Sequence, residues 1–179
     1  MRILRMWLIL FIGAFSSHAW SQTLLDDSAQ LEQKIYAAYL KATAGIDAPT
    51  ISVDAVLAHL QSDQFILVDV RKDAEIAVSH IPGALSIDEF NRTYKSNALP
   101  KDTTVVAYCT IGYRSGKFAE KLIAQGIPVR NLAGGILAWA RSHGALVHRH
   151  ATGIASPTTT VHVYGKEWNL LPPGYQAVW

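Results

Sequence analysis

Val105-Val106-Ala107-Tyr108-Cys109-Thr110-Ile111-Gly112-Tyr113-Arg114-Ser115 runs from an apolar stretch into the one cysteine of a 179-residue chain and on into a short polar loop. Residues 105–108 read as a buried strand, because the run is short, apolar and followed by turn-forming residues. The cysteine therefore stands at the mouth of a sheet. If a helix opens near Ser115, the loop turns successive backbone N–H groups toward one spot, which attracts anions and favours a thiolate. Gly112, without a Cβ, lets the loop curl, and Arg114 adds a permanent cation whose forked donors suit an oxyanion. The competing reading is a small buried residue at a strand end, where free cysteines commonly sit.

On either side of this stretch, strands alternate with helices. Ser52 caps a helix predicted over 53–61, and 65–70 is a second apolar strand. A helix with an acidic start follows at 73–78. His80-Ile81-Pro82-Gly83-Ala84 turns into a short strand at 85–87, and 88–94 reads as another short helix. Residues 115–125 form an amphipathic helix with Phe118, Leu122 and Ile123 on one face. A strand at 128–132 leads through Gly134-Gly135 into a last helix at 136–142. This order predicts an α/β fold, a central parallel sheet with helices on both faces. Ligands then bind at the carboxyl ends of the strands. Cys109 follows such an end, and Asp69-Val70-Arg71 closes the neighbouring strand at the same rim.

The amino terminus has the pattern of a cleaved secretory signal, residues 1–21: a basic start with Arg2 and Arg5, an apolar run from Met6 to Phe15, and small residues at Ser17 and Ala19 or at Ala19 and Ser21. The run is about half of the ~20 residues that span a bilayer, so cleavage is preferred to anchoring. The expectation is an exported protein, periplasmic or secreted, with no membrane contact after cleavage. Secreted chains use cysteines in pairs, so a single thiol there is either joined to another chain or kept reactive. A lone cysteine excludes an internal disulfide, a CxxC redox pair and a zinc ribbon. Losing Arg2 and Arg5 reduces the 16 basic side chains to 14, equal to the 14 acidic ones. That balance argues against nucleic acid as a partner.

Two extensions flank the alternating region. Residues 22–50 contain an amphipathic helix at 28–44, with Leu31, Ile35, Tyr39 and Ala42 at helical spacing. Residues 146–179 form a tail, with a strand at 161–164, whose Trp, Tyr and Leu content suits packing on the domain or contact with a protein partner. His148, His150 and His162 lack a carboxylate or thiol among them, so no metal site and no cofactor is assigned.

Taken together, Leu67-Val68-Asp69-Val70-Arg71 with Glu75, His80-Ile81-Pro82-Gly83-Ala84, Cys109-x-x-Gly112-x-Arg114-Ser115, and Gly134-Gly135 with Trp139 resemble the rhodanese domain of sulfurtransferases. The resemblance covers about 52–143, within a domain set at 51–145. It implies a rhodanese-like fold and a Cys109 that takes a sulfane sulfur from thiosulfate or a persulfide donor and passes it to cyanide or a thiol. That is two-step covalent catalysis. The arginine stands five positions after the cysteine, whereas phosphatase and arsenate-reducing relatives place it six positions after in a wider cradle. The loop also departs from the Cys-Gly-x-Gly-Val-Thr pattern of mercaptopyruvate sulfurtransferases.

In that frame Cys109 is the nucleophile, and the amides of residues 110–114 hold the anionic sulfur as an oxyanion hole holds oxygen. Thr110, Ile111, Gly112, Tyr113 and Arg114 are the expected substrate-binding loop, with Asp69 and Arg71 at the rim. Ile111 and Tyr113 form its outer wall. Arg114 either grips the sulfonate of thiosulfate or braces an acidic loop, and Asp69 and Arg71 either touch substrate or tie loops together. His80 fixes the Pro82-Gly83 turn, and Gly134, Gly135 and Trp139 serve packing. Partners are a small anionic sulfur donor and a thiophilic acceptor. A binding module without turnover and an oxidant-sensing thiol are the alternatives from other classes.

Overall fold

The computed structural model describes residues 10–60, 62, 64–94, 99–149 and 155–179, with side chains from residue 26 onward. Five strands form one parallel sheet in the order β1-β5-β4-β2-β3: β1 (Thr50–Ile51), β2 (Phe65–Asp69), β3 (Leu85–Ser86), β4 (Thr104–Tyr108) and β5 (Val129–Leu132). Five helices connect and cover them: α2 (Val53–Leu57), α3 (Asp73–Val78), α4 (Ile87–Thr93), α5 (Tyr113–Ile123) and α6 (Gly135–Arg141). A long helix, α1 (Leu10–Ala42), precedes the sheet.

Both faces of the sheet are buried, which is why its central strands are apolar without alternation. Leu67, Val106 and Tyr108 point to one side, where Ile35 and Tyr39 of α1, Val56 of α2 and Trp139 of α6 cover them. Val68, Val105, Ala107 and Cys109 point to the other, against Phe90 of α4 and Ala119 and Leu122 of α5. β2 and β4 lie side by side, with Asp69 opposite Tyr108 at their carboxyl ends. Cys109 emerges from the centre of that rim.

Several element bounds differ from the sequence expectation for local reasons. α2 stops at Leu57. α5 starts at Tyr113 rather than Ser115, because Gly112 at φ +124° ends the loop two residues sooner. β1 is too short for any periodicity to show, yet it pairs with β5 and closes the sheet edge. The helix expected over 28–44 extends back to Leu10, since no proline interrupts that stretch. Residues 1–9 of the expected signal lie outside the described residues. Among the described residues no helix is long and apolar enough to cross a membrane.

The tail folds back over the face that α1 also covers. β6 (Val147–Arg149) pairs with β7 (Ala155–Pro157), and β8 (Thr160–His162) with β9 (Gln176–Val178), with a 3-10 turn at Lys166–Trp168 between β8 and β9. The strand expected at 161–164 therefore ends sooner, because Tyr164 turns at φ +70°. Val161 and Val163 are fully buried, and Trp168, Leu170 and Tyr175 pack on the same core as Ile35 and Tyr39. His80 and Val147 exchange backbone hydrogen bonds of 2.9 and 3.0 Å, which join the tail to the turn before β3. His150 lies outside the described residues.

Candidate active site

β4 delivers Cys109 to the rim, and the chain then reverses through Thr110-Ile111-Gly112 into α5. The reversal needs a glycine. At Gly112 a side chain would adopt a φ that L residues avoid, and its Cβ would stand 2.7 Å from the Tyr39 ring. With that curl, the Gly112 amide donates to the Cys109 Sγ at 3.2 Å, and the Ser115 hydroxyl lies 3.5 Å from the same sulfur. The amides of Tyr113 and Arg114 open α5, where N–H groups have no partner within the helix. Cys109 is 2% exposed, and its sulfur faces the positive end of an eleven-residue helix.

A second glycine pair fixes the loop from behind. Gly134 and Gly135, both at positive φ, bring the start of α6 under the loop, where Ile136 and Leu137 amides donate to the Cys109 and Thr110 carbonyls at 2.9 and 3.3 Å. A Cβ on Gly135 would collide with the Cys109 carbonyl. Asn131 of β5 braces the other side: it accepts from Ser115 Oγ at 2.7 Å and donates to the Gly112 carbonyl at 2.9 Å. Sequence reasoning missed Asn131. It stands next to the exposed Arg130 in a four-residue strand, and the sequence carried no signal that this side chain is buried.

Arg114 forms a fork onto Glu75 of α3, with Nη1 and Nη2 donating to the two carboxylate oxygens at 2.7 and 2.8 Å. The guanidinium also lies 5.4 Å from the centre of the Tyr164 ring. Of the two roles weighed for Arg114, this geometry is that of the brace. Burial opposes the Glu75 charge, but the Arg114 hydrogen bonds, the Lys72 amide and the nearby arginine charges hold its carboxyl below the ordinary 4.5. A lowered folded value means that the pair stabilises fully above about pH 4.5 and loses that stabilisation as the pH falls through the folded value. Glu75→Gln is therefore expected to melt below the parent protein near neutral pH, with the gap narrowing under acid conditions. Parallel melting curves across the acid range would refute that account of the pair.

Above the loop opens a cavity of about 600 Å³. Cys109, Thr110, Ile111, Tyr113 and Arg114 form its floor; Ala38, Lys41 and Ala42 of α1 and Tyr164, Glu167, Trp168 and Leu170 of the tail form its walls.

A family described as the rhodanese-like domain matches residues 52–142, half of the chain. The chain belongs to the rhodanese-like family. A sulfurtransferase of Allochromatium vinosum is 44% identical over 84 residues, 46% of this chain and 78% of that protein. A putative sulfurtransferase of Bacillus subtilis, YtwF, is 36% identical over 90 residues, 50% of this chain and 87% of that one. Among solved structures, the thiosulfate sulfurtransferase of Pseudomonas aeruginosa superimposes with a TM-score of 0.53 at 25% identity, over 64% of this chain and 23% of that enzyme. These relatives support sulfurtransferase activity in general terms.

Within the rhodanese-like domain, Asp69 and Arg71 take a different place from the loop residues. Neither lines the cavity. Arg71 Nε and Nη2 donate to the Asp69 carboxylate at 2.9 and 2.6 Å, and Nη2 also reaches the Ser79 carbonyl at 2.6 Å. Both side chains are essentially inaccessible, at 0% and 1% exposure. Burial works against the Arg71 cation, but Asp69 more than offsets it and holds the group above its ordinary value. The pair ties β2 to the end of α3, and Arg71 Nη1, 3.5 Å from the His162 carbonyl, extends the tie to the tail. His80 is buried, with its Nδ1 3.2 Å from the Ile76 carbonyl, and burial lowers its pKa.

Proposed function

We propose that this protein is an exported sulfurtransferase that moves a sulfane sulfur from thiosulfate or a persulfide donor to a thiophilic acceptor through a persulfide on Cys109. The observation that carries the reading is the placement of the Cys109 Sγ: at the floor of a 600 Å³ cavity, against the Gly112 amide and the first N–H groups of α5. A thiolate there attacks the outer sulfur of thiosulfate. The sulfur–sulfur bond of the donor breaks, sulfite leaves with the electron pair, and Cys109 keeps the transferred atom as a persulfide anion. The N–H groups at the head of α5 stabilise that charge, which then sits one bond further into the cavity. Cyanide or a thiolate attacks the outer sulfur, and the Cys109 thiolate departs unchanged. No redox partner is needed.

The basic start and the apolar run of residues 6–15 support export. The test is to incubate the protein with thiosulfate and cyanide, follow thiocyanate, and weigh the intact chain after thiosulfate alone. The expected result is turnover together with a gain of one sulfur atom. A protein that neither gains sulfur nor forms thiocyanate would be a binding module built on the same fold.

A further inference from the structure

Ser115 and Asn131 are buried beside the thiol, at 0% and 1% exposure, and neither lines the cavity. The direction of each hydrogen bond between them follows from which atoms carry protons. The Gly112 carbonyl can only accept, so the Asn131 side-chain nitrogen faces it, at 2.9 Å. The Asn131 oxygen therefore faces the Ser115 hydroxyl, 2.7 Å away, and that oxygen also can only accept. Ser115 has one proton to give, and Asn131 takes it. What the Ser115 oxygen presents to the Cys109 Sγ, 3.5 Å away, is a lone pair. A thiol can donate to that lone pair, whereas a thiolate meets only repulsion there.

We infer that Asn131 is a positioning residue that turns the Ser115 hydroxyl away from Cys109, so that Ser115 accepts from the thiol and withholds a donor from the thiolate. The Gly112 amide and the head of α5 stabilise charge on the sulfur, and the Asn131–Ser115 pair opposes it. To donate to a thiolate, the hydroxyl would have to turn and leave the Asn131 oxygen buried without a partner. The pair thus favours the two forms in which Sγ carries no charge, the thiol and the inner sulfur of a persulfide. The consequence for the transfer step rests on the sulfurtransferase reading above. When an acceptor attacks the outer sulfur, the sulfur–sulfur bond breaks and Sγ leaves with the electron pair as a thiolate, while the nearby hydroxyl stays turned away. The loaded protein therefore holds its sulfur longer than one whose hydroxyl is free. The charged and titratable groups around the thiol are Arg114 and Tyr113 of α5, Glu75 of α3, Tyr39 and Lys41 of α1, and Tyr164 and Glu167 of the tail. Among the described residues none of these is hydrogen-bonded to the Ser115 or Asn131 side chain, so substituting either leaves those groups in place.

The test follows the pH dependence of iodoacetamide alkylation by intact mass, which in a chain with one cysteine reports on Cys109 alone. Asn131→Leu keeps the size of the side chain and frees the Ser115 hydroxyl to turn toward the sulfur, while the Gly116 amide still donates to the Gly112 carbonyl at 2.9 Å. The pH midpoint of alkylation is expected to fall by about one unit, the roughly tenfold worth of a hydrogen bond to a charged group. Ser115→Ala should not raise the midpoint, because it removes an acceptor and no donor. Asn131→Leu combined with Ser115→Ala should lose the fall seen in Asn131→Leu. After loading with thiosulfate, single-turnover release of sulfur to cyanide should be about threefold to tenfold faster in Asn131→Leu than in the parent protein. A midpoint raised by about one unit in Ser115→Ala would overturn the inference, since it would make the hydroxyl a donor to the thiolate. That variant decides the matter even where Asn131→Leu fails to fold. A midpoint that stays in place in Asn131→Leu, or falls as far without the hydroxyl, would overturn it as well. Midpoints as expected in a protein that takes up no sulfur would instead remove the sulfurtransferase reading and leave the hydroxyl arrangement standing.

Discussion

Asp69→Ala is expected to cost about 3–5 kcal/mol, because it leaves the Arg71 cation buried without its counter-charge. The Arg71 side chain is fully inaccessible, and after the substitution its partners are two carbonyls, those of Ser79 at 2.6 Å and His162 at 3.5 Å. In the parent protein the guanidinium is closed to solvent, so the carboxylate stands in for water there. The loss is a large part of a domain's usual margin of about 5–15 kcal/mol. In a chain of this length it should lower the melting temperature by about 10 °C or more. Urea unfolding followed by circular dichroism measures it directly. A second variant separates the pair's net worth from the cost of breaking it. Asp69→Leu combined with Arg71→Met removes both charges and should recover most of the loss, since apolar replacements of buried pairs are often close to neutral. A single variant within about 1 kcal/mol of the parent protein, or a double variant no better than the single one, would contradict this account of the rim.

The same pair shows where sequence reading stops. Residues 65–70 and 105–108 announce two buried strands because burial on both faces demands uninterrupted apolar residues, and Cys109 reads as a thiol on a rim because it directly follows the carboxyl end of such a strand and precedes a glycine-containing turn into a helix. Those are local constraints, and they carried the fold. Whether Asp69 and Arg71 face substrate or each other depends on the end of α3 and on β8, 91 residues away from Arg71 at His162. Local pattern holds no information at that distance. Arg114 is similar: its partner Glu75 is 39 residues upstream, and both candidate roles fit the sequence equally until the two side chains are seen fork to fork. β1 was missed because two residues carry no period, and Asn131 because a single buried polar residue in a short strand is indistinguishable from an exposed one. The cavity walls were the least legible part. Lys41 and Trp168 become neighbours of Cys109 only because α1 and the tail dock on one face of the sheet, and that docking follows from apolar area rather than from any motif.

The position of Cys109 in both the core and the loop sets up the sharpest expectation: Cys109→Ala should abolish sulfur transfer while barely changing stability. The side chain packs with Val68, Val105, Ala107 and Ala119, so alanine keeps most of the apolar contact and removes a single heavy atom. The hydrogen bond lost is the one in which Sγ accepts from the Gly112 amide; the Ser115 hydroxyl, 3.5 Å from Sγ, gives its one proton to Asn131. Ser115 keeps its bond to Asn131 at 2.7 Å, and the Ile136 and Leu137 amides still hold the loop carbonyls, so the reversal into α5 survives. The stability cost should be about 1 kcal/mol, the usual worth of one uncompensated neutral hydrogen bond. Activity should fall about 10³-fold or more, because no other described group at the cavity floor can form the covalent sulfur intermediate. Cys109→Ser tests the same point more strictly: its hydroxyl retains an acceptor for the Gly112 amide but cannot serve as a sulfur carrier, so it should match the parent in stability and the alanine variant in activity. Thiocyanate formation, intact mass after thiosulfate and the urea midpoint, measured on all three proteins, give the comparison. Turnover within tenfold of the parent in either variant would move the chemistry away from Cys109, whereas silent but fully folded variants that gain no sulfur would tie the transferred atom to this one side chain.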